Sequence, residues 1–126
     1  MCLDIITKTV KLTKDKRVWK YVVMAWGLHP TSPHYSTNLN RRKCVATRNY
    51  IHAECGTYRC GFHCFVRSST AKKYLDFWSL YSHTDHVVME FIIPAGTTVT
   101  YGKEFKWVTI VSPVLINPNA PKEDAE

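Results

Sequence analysis

Val18-Trp-Lys-Tyr-Val-Val-Met-Ala-Trp26 is the stretch of sequence that decides the fold class. Most of its residues are β-branched or aromatic, and such side chains pack well on the pleated surface of a sheet. Gly27 and Pro30 follow it closely, and both residue types commonly bound strands. The pattern therefore predicts a central strand over these residues.

Further strands are predicted on both sides of this central strand. Upstream, Leu3, Ile5 and Ile6 mark the beginning of a strand. Downstream, three short segments are expected to form a meander: Cys44–Thr47, Tyr50–Cys55 and Gly61–Val66. Gly56-Thr57-Tyr58 is the predicted turn between the second and the third. Three further strand-like segments follow at His86–Ile93, Thr97–Tyr101 and Phe105–Ile116.

One amphipathic helix is predicted, over about residues 69–81. Ser68, Ser69 and Thr70 offer hydroxyl groups that cap a helix N-terminus. An apolar stripe then recurs at i, i+3, i+4 and i+7, formed by Ala71, Tyr74, Leu75 and Trp78. The whole pattern predicts an α+β fold, a mostly antiparallel sheet with this helix packed on one face. Residues 1–117 form the single predicted domain, and residues 118–126 an acidic, flexible tail.

Composition places the chain among ordinary globular domains. Its 126 residues are 45% apolar, and this length can bury a core without disulfide bonds. No apolar run approaches the roughly 18 residues of a membrane span, and no signal-peptide pattern precedes the first lysines. The sequence therefore predicts a soluble cytoplasmic protein that does not bind membranes, and it carries no signal for a particular oligomeric state.

Positive charge is the first indication of a binding partner. The chain carries 17 Lys and Arg against 10 Asp and Glu, a formal net charge of +7. The cations concentrate in two clusters, one between Lys8 and Lys20 and the other between Arg41 and Arg48. Such an excess favours anionic partners and also serves solubility.

The five cysteines are interpreted mainly as buried thiols. An odd number of cysteines in a chain without an export signal makes a disulfide framework improbable. Five potential metal ligands fall within thirteen residues, and structural zinc on them stays an alternative: His52, Cys55, Cys60, His63 and Cys64. Paired CxxC spacing is absent, and strand alternation would place His63 and Cys64 on opposite faces. No metal site is therefore predicted.

Signatures of catalysis and of cofactor binding are missing from the sequence. The glycines form neither a phosphate-binding loop nor a dinucleotide fingerprint. The carboxylates are scattered over different predicted elements. The sequence therefore predicts no cofactor and favours a binding protein over an enzyme.

A long loop is the predicted binding segment. Residues 27–42 contain two prolines and many hydroxyl and amide side chains, which are typical of an exposed loop. Loops of this length are commonly functional, and Arg and Tyr are enriched at contact hot spots. The predicted binding residues are His29, His34, Tyr35, Arg41, Arg42 and Lys43.

Several short patterns resemble a group of small phage-encoded proteins of unassigned function. They are Met1-Cys-Leu3, Trp19-Lys-Tyr-Val-Val23, Ser32-Pro33, Gly61-Phe-His-Cys-Phe65 and Ile93-Pro-Ala-Gly-Thr97. The resemblance implies an accessory protein that acts in the host cytoplasm by binding a host protein or nucleoprotein complex. Inhibition or redirection of a defence system such as CRISPR is the role it suggests.

Two other functions stay open. Nucleic-acid binding is one, because six cations between Lys8 and Lys20 interleave with Trp19 and Tyr21. The other is enzymatic: Gly61-Phe-His-Cys-Phe65, the predicted helix and Val87-Val-Met-Glu-Phe-Ile-Ile-Pro94 resemble the middle of ADP-ribosyltransferase-like domains. That resemblance implies His29 near the end of the first strand, Tyr50 or Tyr58 stacked on a nicotinamide, and Glu90 orienting a ribose.

Overall fold

The computed structural model describes residues 5–25, 29–31, 39, 41–46, 50–53, 56–59, 61–79, 86–102 and 109–120. Within these ranges the chain forms one helix, α1 (Ser68–Ser79), and eleven strands. The strands are β1 (Ile6–Lys11), β2 (Lys16–Ala25), β3 (His29–Thr31), β4 (Lys43–Val45), β5 (Tyr50–Ala53), β6 (Gly56–Arg59), β7 (Phe62–Cys64), β8 (His86–Ile93), β9 (Thr98–Gly102), β10 (Ile110–Ser112) and β11 (Val114–Ile116).

These strands form two antiparallel sheets and a separate hairpin. The four-stranded sheet has the order β1-β9-β10-β7, and the five-stranded sheet has the order β3-β2-β8-β11-β4. Strands β5 and β6 pair only with each other among the described strands. The predicted α+β class is confirmed, and the strand predicted at His86–Ile93 has those bounds.

The main hydrophobic core lies between the two sheets. Its buried side chains come from both of them, including Val18, Phe91 and Leu115 from the five-stranded sheet and Phe62 and Ile110 from the four-stranded sheet. A backbone bridge between Trp19 and Phe65 joins the sheets directly, with N–H···O distances of 2.7 and 2.9 Å. The central strand of the sequence prediction, β2, therefore contributes to both layers.

The helix covers the other face of the five-stranded sheet. Helix α1 packs against β2 and β8, and Ala71 and Tyr74 are buried there. The Tyr74 ring meets the Tyr21 ring edge to face, with centroids 5.0 Å apart, and this geometry is favourable for aromatic pairs. The predicted helix is confirmed on one face of a sheet, beginning at Ser68. No helix in the described ranges combines the length and apolarity that crossing a bilayer requires.

The predicted meander is wrong. Strand β4 lies at an edge of the five-stranded sheet, whereas β7 lies at an edge of the four-stranded sheet. Gly56-Thr57-Tyr58 is not a turn but part of β6, which pairs with β5 antiparallel from Gly56 opposite Ala53 onward. Short strands carry little information about which sheet they join, since that choice depends on partners distant in sequence.

The strand predicted over Phe105–Ile116 is interrupted at Pro113. Strand β10 ends at Ser112 in the four-stranded sheet, and β11 begins at Val114 in the five-stranded sheet. Proline has no N–H to donate, so it cannot continue a hydrogen-bonded ladder. Pro113 therefore marks the point at which the chain passes from one sheet to the other.

The predicted long loop contains a strand at its beginning. His29, Pro30 and Thr31 form β3, which pairs with Ala25, Met24 and Val23 of β2. Strand β3 is an edge strand, where proline is tolerated because one side of the ladder is unused. The tail predicted from residue 118 begins with a turn whose Ala120 is buried, and residues 121–126 lie outside the described ranges.

Candidate interaction surface

The structure brings three of the six predicted binding residues together. Arg41, Arg42 and Lys43 are exposed at the start of the edge strand β4. His29 lies on β3, at the opposite edge of the same sheet, with its side chain outside the described part. His34 and Tyr35 also lie outside the described residues. Of the predicted site, the described structure therefore shows the side chains of Arg41, Arg42 and Lys43, which we call the basic segment.

Hydrogen bonds fix the backbone of this basic segment. Asn117, which is buried, donates its backbone N–H to the Arg42 carbonyl at 2.8 Å and its side-chain amide to the Leu39 carbonyl at 2.9 Å. The Cys44 thiol donates to the Arg41 carbonyl at 3.3 Å. Because the side chains of Leu39 and Cys44 are buried, the segment is anchored on the protein side while its cations face solvent.

The cations of this segment are not neutralised within the described structure. An ion pair joins Arg17 and Glu90, but none of Arg41, Arg42 and Lys43 takes part in an ion pair with another described residue. Three consecutive positive charges on a fixed backbone create a local positive potential.

The strand register extends this basic segment into a larger surface. Arg17 pairs with Ile92, Ile92 with Ile116, and Ile116 with Lys43. Residues directly opposite each other on neighbouring strands project to the same face. One transverse row across β2, β8, β11 and β4 therefore carries a cation at each end and two isoleucines in the middle.

This row lies on the face of the sheet that points away from the main core. Cys44 is buried in the main core, so its neighbours Lys43 and Val45 project to the opposite side. Val45 pairs with Val114 and is 53% exposed. We call the surface formed by Arg17, Lys43, Val45, Ile92, Val114 and Ile116 the outer face.

Helix α1 covers the same side of the sheet at a different place. The cluster beneath the helix contains Tyr21, Trp19 and Val88, but neither Ile92 nor Ile116. Those two isoleucines also do not belong to the main core cluster, and both are partly exposed. The outer face is therefore the part of the sheet that the helix leaves uncovered.

Glu90 is engaged at the border between the helix and the outer face. It lies opposite Trp19, and its carboxylate accepts a hydrogen bond from the Arg17 guanidinium. That hydrogen bond lowers the pKa of Glu90, and Glu90 in turn raises the pKa of Arg17. The Arg17 guanidinium also lies 5.8 Å from the centre of the Trp19 ring. Glu90 therefore serves as an ionised partner of Arg17 in this structure.

A second basic surface lies where β1, β2 and β9 approach one another. The ammonium groups of Lys8 and Lys16 lie 5.0 and 6.0 Å from the centre of the Tyr101 ring. These distances fall within the range of cation–π interactions. Lys11 and Lys14 are exposed on the neighbouring part of the chain.

Two members of the predicted basic and aromatic cluster are not on the surface. Lys20 is 2% exposed and Tyr21 is 3% exposed. Alternation along β2 directs Lys20 into the core between the sheets, beside Val18 and Val22, and directs Tyr21 toward α1. Of the six cations between Lys8 and Lys20 that favour nucleic-acid binding, Lys20 is therefore not available to a phosphate at the surface, and the buried Tyr21 ring cannot stack on a base.

Lys20 belongs to a buried polar cluster. Its ammonium nitrogen donates to the His63 carbonyl at 3.0 Å, and the His63 ring shares a hydrogen bond of 2.8 Å with the Tyr58 hydroxyl. Burial lowers the pKa of Lys20 and raises the pKa of the neighbouring Cys64 thiol to about 11. Tyr58, one of the two tyrosines expected to stack on a nicotinamide, is therefore buried and bound to His63.

The described residues do not assemble a metal site. No group of three potential ligands occurs among them. Cys64 packs in the main core, whereas the His63 ring meets Tyr58, which belongs to the cluster under the helix. His52 is described by its backbone alone, and Cys55 and Cys60 lie outside the described residues.

Sequence reasoning missed the apolar half of the outer face. Ile92 and Ile116 read as ordinary strand residues, and their alignment with Arg17 and Lys43 depends on pairing between distant strands. Lys43, Cys44 and Val45 are exposed, buried and exposed in the structure, but Lys-Cys-Val has no polar–apolar alternation from which the exposure of Val45 could be predicted. Comparisons of the chain with family models, curated proteins and solved structures find no match.

Proposed function

We propose that this chain is a small basic accessory protein that binds and inhibits or redirects a host macromolecule. The observation that carries the proposal is the basic segment Arg41-Arg42-Lys43, which is exposed, fixed by Asn117 and not neutralised within the described structure. A host protein or nucleoprotein complex is the partner class, with a defence system such as CRISPR as the specific role.

Two physical features support binding through this segment. Its backbone is already ordered, so binding there requires less loss of conformational freedom than binding by a flexible loop. Arginine is also among the residues enriched at energetic hot spots of interfaces, where its planar guanidinium pairs with carboxylates or phosphates.

Replacing Arg41, Arg42 and Lys43 with alanine is expected to reduce partner recovery at least tenfold without unfolding the protein. Each of the three side chains is exposed, so the change should affect stability little. The measurement is quantitative affinity purification of tagged wild-type and variant protein from bacterial lysate, with and without nuclease, together with melting curves. The role against a defence system is tested in a bacterial strain whose CRISPR system targets a plasmid. Expression of the wild-type protein should suppress loss of that plasmid.

A charge-matched variant provides the control. Lys72 and Lys73 are exposed on α1, which packs on β2 and β8, so Lys72→Glu combined with Lys73→Ala removes the same net charge away from β4. The control should recover the partner as the wild type does. Equal losses in both variants would mean that net charge, rather than this segment, attracts the partner, and would contradict the proposal.

Nucleic-acid binding is a second candidate function, favoured by the basic surface around Tyr101. Lys8 and Lys16 hold two cations near one partly exposed aromatic ring. Cations that neutralise phosphates, combined with an aromatic side chain, are the usual components of single-strand binding surfaces.

Replacing Lys8 and Lys16 with alanine is expected to weaken binding of a fluorescent single-stranded oligonucleotide. The affinity of the variant should also depend less on salt concentration than the affinity of the wild type. Removal of two phosphate contacts should reduce the slope of log K against log salt concentration by about 1.4. The measurement is fluorescence anisotropy at several salt concentrations, with a Lys72→Ala, Lys73→Ala double variant as the control. An unchanged slope would show that this surface does not contact phosphates.

A further inference from the structure

We infer that the outer face docks an amphipathic helix of a protein partner, with acidic residues flanking the apolar stripe of that helix. This inference rests on the proposed function, because Lys43 belongs both to the basic segment and to the outer face. It adds the class of partner and the apolar contacts that the basic segment alone does not specify.

The centre of the outer face is apolar. Ile92 and Ile116 are direct neighbours across β8 and β11, and Val114 pairs with Val45. All four are at least partly exposed, and Val45 is 53% exposed, the highest fraction among the large apolar side chains that the structure describes. Contact with a partner would remove this apolar area from water, at a gain of roughly 25 cal/mol for each Å².

The rim of the outer face is positively charged. Arg17 and Lys43 end the central row, and the exposed Arg41 and Arg42 immediately precede Lys43 in the chain. Among the described residues, the carboxylate at this rim is Glu90, which pairs with Arg17. A partner with acidic residues around an apolar stripe complements both features. A nucleic acid would leave the aliphatic centre unused, and a second copy of the chain would bring like charges together.

Helix α1 shows which kind of element fits this surface. It packs on the same side of the sheet over Trp19 and Tyr21. Helix α1 packs over β2 and β8, whereas Val45, Val114 and Ile116 lie on β4 and β11. These two pairs of strands are two strand spacings apart, which is roughly 10 Å. Packed helices lie 8–10 Å apart, so a partner helix would fit beside α1 and extend the helical layer.

The test uses a displayed library of helical peptides with randomised surface positions, selected against the full-length protein. The expected result is enrichment of helices that carry Asp or Glu on both sides of an apolar stripe. Binding of the enriched helices, measured by anisotropy, should fall at least tenfold for Val45→Ser and for Lys43→Glu. The matched controls Ile5→Ser and Lys72→Glu should stay within twofold of the wild type, since Ile5 is 49% exposed and Lys72 is an exposed cation elsewhere.

Several results would overturn the inference. The selection would contradict it by enriching no helix, or by enriching helices without acidic residues. Equal losses of binding in the control variants would show that the effect is not specific to the outer face. Competition by single-stranded DNA that depends on Val45 would assign the surface to nucleic acid, and a dimer in light scattering that Val45→Ser dissociates would assign it to a second copy of the chain.

The proposed function is separable from this inference. If lysate capture is lost in the triple alanine variant but unaffected by Val45→Ser, basic binding stands and the docking surface is wrong; if neither change matters, both are wrong.

Discussion

Replacement of Lys20 by methionine is expected to stabilise the protein by roughly 1 to 4 kcal/mol at neutral pH, the range seen when buried ion pairs are replaced by well-packed apolar side chains. Lys20 is 2% exposed and lies between Val18 and Val22, opposite Met89. Desolvation of its amine opposes folding, and the 3.0 Å hydrogen bond to the His63 carbonyl offsets only part of that cost. Methionine has similar length and no charge, so it should fill the same space.

The stability that Lys20→Met adds relative to the wild type should shrink as the pH rises toward the ordinary lysine pKa of 10.5. Burial lowers the pKa of Lys20 in the folded protein, so the unfolded chain binds one more proton between that lowered pKa and 10.5. Wild-type stability therefore rises with pH in this window, whereas the methionine variant lacks this titration. Burial raises the thiol pKa of Cys64 to about 11, and the Lys20 charge opposes that shift. Lys20→Met removes the opposing charge, so the loss of stability from Cys64 above pH 9 should be at least as large in the variant, which also reduces the gain at high pH.

Denaturant unfolding of both proteins between pH 6 and pH 10 measures this difference. The control is Lys11→Met, which changes an exposed lysine of β1 and should alter stability by less than about 0.5 kcal/mol. A Lys20→Met protein that is less stable than the wild type throughout this range would show that the buried amine contributes net stabilisation, against the expectation.

Lys20 shows why the sequence predicted the strand but not which of its residues are buried. The composition of Val18–Trp26 indicates a strand correctly as far as Ala25, where the described part of β2 ends. Alternation between polar and apolar residues, however, reveals a buried face only when the other face is exposed to water. Here one face of β2 meets the four-stranded sheet and the other meets α1. Lys20 therefore interrupts an apolar stretch without revealing that it points into the core.

Part of the candidate surface can likewise be predicted from local sequence, and part depends on long-range pairing. Exposure of Arg41, Arg42 and Lys43 follows from a local cluster of cations, which is costly to bury. The alignment of Lys43 with Ile116, Ile92 and Arg17 follows from pairings between strands far apart in sequence. A shift of one residue in any pairing would move these side chains to the other face, and no local pattern fixes that register.

Gly61 packs against the backbone of Ser112 and Pro113, where the chain passes from one sheet to the other. Gly61→Ala is expected to destabilise the protein by about 3 kcal/mol, the upper end of the usual range for overpacking. A methyl group at this position would meet the backbone of Ser112 and would lie 2.9 Å from the Pro113 nitrogen. Ser112 ends β10, Val114 begins β11, and β7 pairs with β10 immediately after Gly61. Relief of the contact would therefore require displacement of strands in both sheets.

Gly96→Ala is the matched comparison for this substitution. Gly96 has a φ of +88°, and a methyl group there would meet no atom within 4 Å. Its replacement should cost only the roughly 1–2 kcal/mol of the left-handed backbone conformation. Denaturant unfolding of the wild type and both alanine variants measures the two costs. Because one cost comes from packed backbone and the other from a local dihedral angle, Gly61→Ala should be the more damaging; the reverse order would mean that the Ser112–Pro113 backbone is not packed against Gly61.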